Sequence, residues 1–204
     1  MEFGVYRYWE KKNIPQNGYQ AGIRLGNYTD PTEIFLINTG LPGSQPFKLN
    51  KINYAWAAKP FVGKTWNLAK RNSRMDVGLR LFTNVSIPIM KYWPVYVMIY
   101  IPNPPFDGYV PERYDPAIHH PENIGGVAQY SKGFSEGTWV VGMGAQAGFQ
   151  IEWGSYRSIS NSVSFGVSND VFVQKIPLIY GTSSSSQMFP ALFVTFAFGF
   201  GDIN

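Results

Sequence analysis

The two histidines of the chain, His119 and His120, share a segment with the carboxylates Asp115 and Glu122. Imidazole and carboxylate groups are ligands of zinc and related ions. Neighbouring residues of an extended segment point to opposite sides, so only one histidine can readily join a carboxylate around a single ion. The spacing is a weak indication of a metal site with Asp115, His119 and Glu122 as candidates, and a loop held by hydrogen bonds is the commoner alternative.

The same segment contains the residue types of a serine hydrolase. Ser131 and Ser135 follow the histidines, while Glu112 and Glu136 flank them. A hydrolytic site needs a nucleophile, a base and an acid together, but no nucleophile elbow or recognisable spacing accompanies these residues. We therefore expect no catalytic site and no cofactor.

The strongest pattern in the chain is a period-two alternation of apolar and polar residues. From Val141 to Trp153 the odd positions are apolar and mostly large, whereas the even positions are Gly, Gln or Glu. Such alternation is typical of β-strands with two different faces. Similar patterns or shorter apolar runs predict seven further strands: Phe3–Lys11, Tyr19–Leu25, Ile52–Leu68, Val77–Ile87, Val95–Ile101, Val163–Val173 and Leu192–Phe200.

The composition supports an all-β chain and excludes several functional classes. Aromatic residues make up 17% and charged residues 15% of the 204 residues, and 21 glycines with 15 prolines suit short strands and turns. No apolar run is long enough for a transmembrane helix, and no cysteine offers a disulfide or a thiolate ligand. Because the basic residues are scattered, the net charge of +4 does not predict a nucleic-acid partner.

The side chains on the polar faces favour a membrane barrel over a soluble β-sandwich or lipocalin-like barrel. A soluble fold turns its charges outward, yet these faces are rich in glycine, serine and alanine. Strands that cross lipid must close into a barrel so that every backbone group is paired. We predict a single domain over residues 1–204, an all-β, transmembrane antiparallel up-and-down β-barrel of about eight strands in the outer membrane of a Gram-negative bacterium.

The interior of such a barrel would be filled by side chains from the polar faces. Eight strands leave no open channel, so we expect a plug, with a small pore or ligand-binding barrel as the alternative. The predicted interior network consists of Arg24, Lys59, Asp76, Arg80, Gln146, Gln150, Glu152 and Asp170.

An even strand number would place both chain ends on the periplasmic side. The connections expected outside the cell are residues 13–18, 70–74, 102–137 and 178–189, and those expected in the periplasm are 28–51, 88–94 and 154–160. Prolines in 102–137 predict an ordered, extended loop and the best binding surface. The apolar run Ile34–Ile37 makes 28–51 a candidate for docking on a partner.

Several segments resemble a known group of sequences: Tyr114–His119, Glu122–Gly125, Lys132–Phe134, Gly148–Gly154, Lys175–Leu178 and the phenylalanine-rich last strand. The chain resembles an uncharacterised family of small outer-membrane β-barrel proteins from Bacteroidota. One departure is Asp30-Pro31-Thr32-Glu33, where related sequences carry His-Pro-Lys-Glu. The resemblance implies a fold and a location but no activity.

With no evident chemistry, the favoured function is a structural or accessory subunit of a larger outer-membrane complex, such as protein-assembly or secretion machinery. The alternative is an outer-leaflet enzyme that modifies lipid A, with His119 or His120 as its base and a loop serine as its nucleophile. The expected partners are outer-membrane lipids, lipopolysaccharide and other outer-membrane proteins.

Overall fold

The fold is all-β and antiparallel. A computed structural model describes residues 1–10, 17–69, 77–102, 108–154, 159–181 and 185–200. The strands are β1 Glu2–Glu10, β2 Asn17–Tyr28, β3 Ile34–Leu36, β4 Phe47–Leu49, β5 Asn53–Ala69, β6 Gly78–Ser86, β7 Ile89–Pro94, β8 Tyr96–Ile101, β9 Gly108–Arg113, β10 Ile124–Val127, β11 Thr138–Gly154, β12 Ile159–Pro177 and β13 Ser185–Phe200. Within the described part of the chain, no helix has the length and apolar content needed to cross a bilayer.

Eight strands form the main sheet, in the order β1-β2-β5-β6-β11-β12-β13 with β7 placed between β5 and β11. β6 and β7 share one position, because β5 and β11 flank both of them. The interruption falls at Ile87 and Pro88, where proline has no N–H to donate to the ladder. The sheet therefore has seven positions across its width.

The prediction that Val95–Ile101 is a strand of the main sheet is wrong. β8 covers most of that segment but pairs with β9 and β10 in a separate three-stranded sheet. The predicted connection 88–94 is instead largely β7, which continues the line of β6. Alternation identifies a strand but not the sheet that it joins. Pro88 and Pro94 led to the prediction of a turn, because proline is common in turns.

Because the main sheet has seven positions and not the eight predicted strands, its strands end on different sides than predicted. With seven antiparallel positions, β1 and β13 run in the same direction, so the chain enters and leaves the sheet at opposite ends. The connections that follow β2, β7 and β12 all lie at the same end of the sheet. The prediction that 28–51 lies on the opposite side of the membrane from 102–137 and 178–189 is therefore wrong. Residues 11–16, 70–76 and 155–158 lie outside the described residues, and the strands that flank them meet at the other end.

The main sheet curls so that distant strands meet across its concave face. Phe82 on β6 lies 6.2 Å from Phe193 on β13, and Tyr28 on β2 lies 5.0 Å from Phe189 on β13, measured between ring centroids. Among the described residues no backbone ladder joins β1 to β13. Both strands are therefore edges of a strongly curled sheet.

The two faces of the main sheet have the polarity opposite to that of a water-soluble protein. The convex face exposes large apolar side chains such as Met143, Val194 and Phe196, which are 77%, 66% and 70% exposed. The concave face buries polar and charged groups, including Lys59 and Asp170 at 8% and 6% exposure. The prediction that apolar residues face outward and polar residues inward is confirmed for these strands.

A smaller layer covers one end of the sheet. We call it the cap: it comprises the described residues of 29–52 and 95–137, with the β3–β4 hairpin and the β10-β8-β9 sheet. Phe47, Val97 and Ile124 pack together in its apolar core. A second apolar cluster, which includes Met90 and Ile176, fills the concave face beside the cap. The cap contains two single-turn 3-10 helices, Pro121–Asn123 and Phe134–Glu136.

Candidate functional site

The polar side chains of the concave face form a hydrogen-bonded network, which we call the interior network. At its centre the Lys59 ammonium on β5 donates to Asp170 on β12 over 2.7 Å, and the Tyr28 hydroxyl donates to the same carboxylate oxygen over 2.6 Å. Lys59 also lies 3.2 Å from the Glu2 carboxylate on β1. This cluster links β1, β2, β5 and β12.

A second group of amides continues the interior network across the sheet. The Arg24 guanidinium on β2 donates to the Gln146 side-chain oxygen on β11. The Asn84 amide on β6 donates to the same oxygen over 3.1 Å and accepts a 2.5 Å hydrogen bond from Gln20 on β2. Arg24 also lies 3.4 Å from Glu2. Side chains thus connect β2 to β6 and β11, with which it shares no backbone ladder.

The third part of the interior network lies toward the end of the sheet opposite the cap. Arg80 on β6 forms an ion pair of 2.9 Å with Glu152 on β11 and donates to the Asn67 oxygen on β5 over 2.9 Å. Gln150 donates to the Ser162 hydroxyl on β12 over 2.9 Å. Hydrogen bonding of this kind compensates the cost of burying polar groups.

The structure brings seven of the eight predicted interior residues onto this network: Arg24, Lys59, Arg80, Gln146, Gln150, Glu152 and Asp170. The eighth, Asp76, lies outside the described residues. Sequence reasoning missed Glu2 and Tyr28, because it began the first strand at Phe3 and assigned Tyr28 to a connection. Continuing the alternation by one residue before Phe3 and by three residues after Leu25 would have found both.

Glycines on the concave face make room for the network. A Cβ at Gly144 would lie 2.2 Å from Asp170 Oδ1 and 2.3 Å from the Ser86 hydroxyl oxygen. A Cβ at Gly63 would lie 1.9 Å from the Asn84 side-chain oxygen. Both glycines are therefore required by close approach and not by their backbone angles.

The charged groups of the interior network pair with one another. Its cations Arg24, Lys59 and Arg80 are matched by the carboxylates of Glu2, Glu152 and Asp170. Such a set holds strands together by compensating charge, whereas a general acid or base needs a free proton-transfer position beside a substrate. The apolar cluster containing Met90 and Ile176 closes the same space beside the cap.

The predicted metal candidates take other roles in the cap. His119 Nδ1 accepts a hydrogen bond from the Asp115 backbone N–H over 3.1 Å, and its Nε2 lies 3.1 Å from Glu112. The Asp115 carboxylate caps the Ala117 N–H, and the Glu122 backbone oxygen accepts from the side chain of Asn38. In the described ranges no three His, Asp or Glu side chains are grouped so that they could hold an ion.

An apolar cleft that the sequence did not reveal lies where the cap meets the convex face, with a volume of about 490 Å³. The Trp56 indole N–H donates to the Tyr130 hydroxyl over 2.7 Å, which ties the sheet to the cap. The Lys91 ammonium lies 3.7 Å from the ring centroid of Phe134 and 5.3 Å from that of Trp139. The cleft therefore combines apolar walls, indole rings and one cation.

A buried charge cluster fastens the connection between β2 and β5. Glu33 accepts hydrogen bonds from both Lys48 and Lys51. Burial alone would raise the pKa of Glu33, but the two ammonium donors outweigh it and lower that pKa below its ordinary value. Burial lowers the pKa of Lys51, and Glu33 opposes that change.

Comparison with protein-family models, with curated proteins and with solved structures finds no match. The molecule itself presents two features that a function must explain. One is the interior network, and the other is the large apolar convex face.

Proposed function

We propose that this chain forms the wall of an integral outer-membrane β-barrel and acts as a structural or accessory subunit of a larger outer-membrane complex that assembles or secretes proteins. The observation that carries the proposal is the reversed polarity of the main sheet, which buries Lys59 and Asp170 and exposes Val194 and Phe196. Outer-membrane barrels from Bacteroidota, which the sequence resembles, would have this location.

The energetics of the convex face support a lipid environment. Apolar surface in water costs roughly 25 cal/mol per Å² relative to an apolar medium. Contiguous apolar patches of more than a few hundred Å² are rare on soluble monomers. On this chain β13 alone exposes Leu192, Val194, Phe196 and Phe198 in succession along one face. Lipid chains would cover that face favourably and leave the buried charges in the interior network.

The residues where the cap joins the convex face support a particular depth of the chain in the membrane. Trp56, Trp139 and Lys91 gather at the cleft where the cap joins the convex face. Indole rings and lysines are enriched where a bilayer meets water. The cap would then stand outside the hydrocarbon layer.

The accessory role is supported by the cap surface. Ile34, Phe35 and Ile37, in and just after β3, are more than half exposed, and Ile118 elsewhere in the cap is 69% exposed. Apolar residues that lie beyond the lipid-facing band would suit contact with another protein. The interior network supplies no evident chemistry that would require a substrate.

The first experiment tests location. The chain has no cysteine, so Val194→Cys on the convex face and Ile118→Cys on the cap would each carry a single fluorescent label in the protein reconstituted into vesicles. Lipids with spin labels in their acyl chains should quench the Val194 label, and aqueous iodide should quench the Ile118 label. Quenching of the Val194 label by iodide alone would overturn the membrane assignment.

The second experiment tests the accessory role. Gentle detergent extraction from native outer membranes should retain stoichiometric protein companions, identified by mass spectrometry. Recovery of a lone monomer under conditions that preserve other outer-membrane complexes would contradict it and favour an enzyme or a ligand-binding barrel.

A further inference from the structure

The two edges of the curled sheet run in the same direction. β1 and β13 occupy the first and seventh positions, and every neighbouring pair between them is antiparallel. No ladder connects the two edges among the residues that the structure describes. One row of backbone N–H and C=O groups on each edge strand thus lacks a strand partner.

Such edges are costly in the setting of the proposed function. Water is absent from the hydrocarbon layer, and each unsatisfied backbone group there costs several kcal/mol. Strands in known membrane barrels avoid this cost by closing the sheet. In lipid, therefore, the open backbone N–H and C=O groups of both β1 and β13 need hydrogen-bond partners.

The strand directions decide what can do so. Antiparallel closure requires an odd number of additional strands, because β1 and β13 are parallel to one another. A second copy of this chain with the same membrane orientation cannot supply it, since its β1 would meet β13 in parallel. The curl also limits the number: Tyr6 on β1 reaches Gln150 on β11, four positions away, as facing strands do in a ring of about eight.

We propose that one β-strand of a partner polypeptide inserts between β1 and β13, antiparallel to both, and completes an eight-position barrel. The inference rests on the proposed membrane location. The inserted strand spans the bilayer with about ten residues and alternates apolar side chains toward lipid with small or polar ones toward the interior network.

The test uses single cysteines on outward-facing valines of the full chain in native outer membranes. Val5→Cys on β1 and Val194→Cys on β13 would carry a short photoactivatable cross-linker, and Val85→Cys on β6, flanked by two strands of its own chain, is the matched control. We expect both edge variants to cross-link to one and the same partner segment with an alternating sequence. The control should cross-link only within the chain.

Direct closure is tested with paired cysteines. Val5→Cys is combined in turn with Leu192→Cys, Val194→Cys and Phe196→Cys. Adjacent strands lie about 5 Å apart and allow disulfides, whereas an intervening strand separates the edges by about 10 Å and prevents them. An efficient intramolecular disulfide in any pair, adducts at one edge only, or adducts to different segments would overturn the proposal. The lipid-quenching result at Val194 would stand in each of these cases, so failure of the strand proposal is distinguishable from failure of the membrane location.

Discussion

Lys59 and Asp170 lie on strands three positions apart in the main sheet, yet their charged groups meet at 2.7 Å across its concave face. Both side chains are at most a tenth exposed. The ion pair therefore depends on the curvature of the sheet, because it forms only when β5 and β12 face each other. Removing either charge should loosen the curl itself.

The variant Asp170→Asn should destabilise the protein by about 3 kcal/mol, since it leaves the buried Lys59 with only the partly exposed Glu2 as a counter-charge. Urea unfolding in detergent micelles measures the change. Glu112→Gln, which alters a half-exposed carboxylate of the cap, is the control and should have little effect. A double variant, Lys59→Met with Asp170→Leu, should recover part of the loss. Equal stability of Asp170→Asn and the native protein would show that the pair is not structural.

The variant Gly144→Ala should be destabilising by about 1 to 3 kcal/mol, because the new methyl group would overlap Asp170 and Ser86. Ala145→Val adds bulk to the adjacent, exposed position on the convex face and should be tolerated. The two unfolding curves would be compared under identical conditions. A greater loss in Ala145→Val would mean that the convex side is the packed one.

The variant Phe196→Arg should impair membrane assembly, since a cation on the lipid side of a barrel costs about 2 to 4 kcal/mol near the bilayer midplane. Ile118→Arg places the same charge on an equally exposed residue of the cap and should assemble normally. Folding into vesicles, followed by the electrophoretic shift between folded and heated protein, measures the difference. Indistinguishable assembly yields would argue for a water-exposed convex face.

Acidification should release the connection between β2 and β5. The pKa of Glu33 is lowered from its ordinary value of 4.5, so its ionised form favours the folded state. That contribution is complete above pH 4.5 and is lost as the pH falls through the lowered pKa. Limited acid-protease digestion should therefore cut within residues 29–52 more readily at pH 3 than at pH 5. The variant Glu33→Gln should be cut readily at both values, whereas Glu122→Gln should behave like the native chain.

Much of the main sheet could be predicted from the sequence because its physics is local. Side chains alternate along a strand, so Gln146, Gln150 and Glu152 indicate the polar face of β11 even when its neighbouring strands are unknown. The polarity of the two faces followed from the small residues on the polar side. Pairing of these residues with Arg24 and Arg80 could only be guessed, since it depends on how the sheet curls.

The elements that sequence reasoning missed depend on non-local contacts. Tyr96–Ile101 is as apolar as the strands of the main sheet, but its partners Gly108–Arg113 and Ile124–Val127 lie later in the chain, within the cap. Pro88 and Pro94 resembled turn residues, although β7 continues along the same neighbours as β6. The aromatic cleft brings Trp56 to Tyr130, which no spacing along the chain could indicate.

The reversed polarity of the main sheet has a consequence for how this chain can vary. In a water-soluble domain, surface positions drift freely while the apolar interior resists change. If lipid covers the convex face as proposed, its valines and phenylalanines need only remain apolar and can replace one another. Each interior polar residue, in contrast, is constrained by the shape and charge of its partners. Saturation mutagenesis should therefore show that convex positions accept apolar side chains of different sizes. Interior positions such as Asp170 and Arg24 should reject even substitutions that keep the size of the side chain.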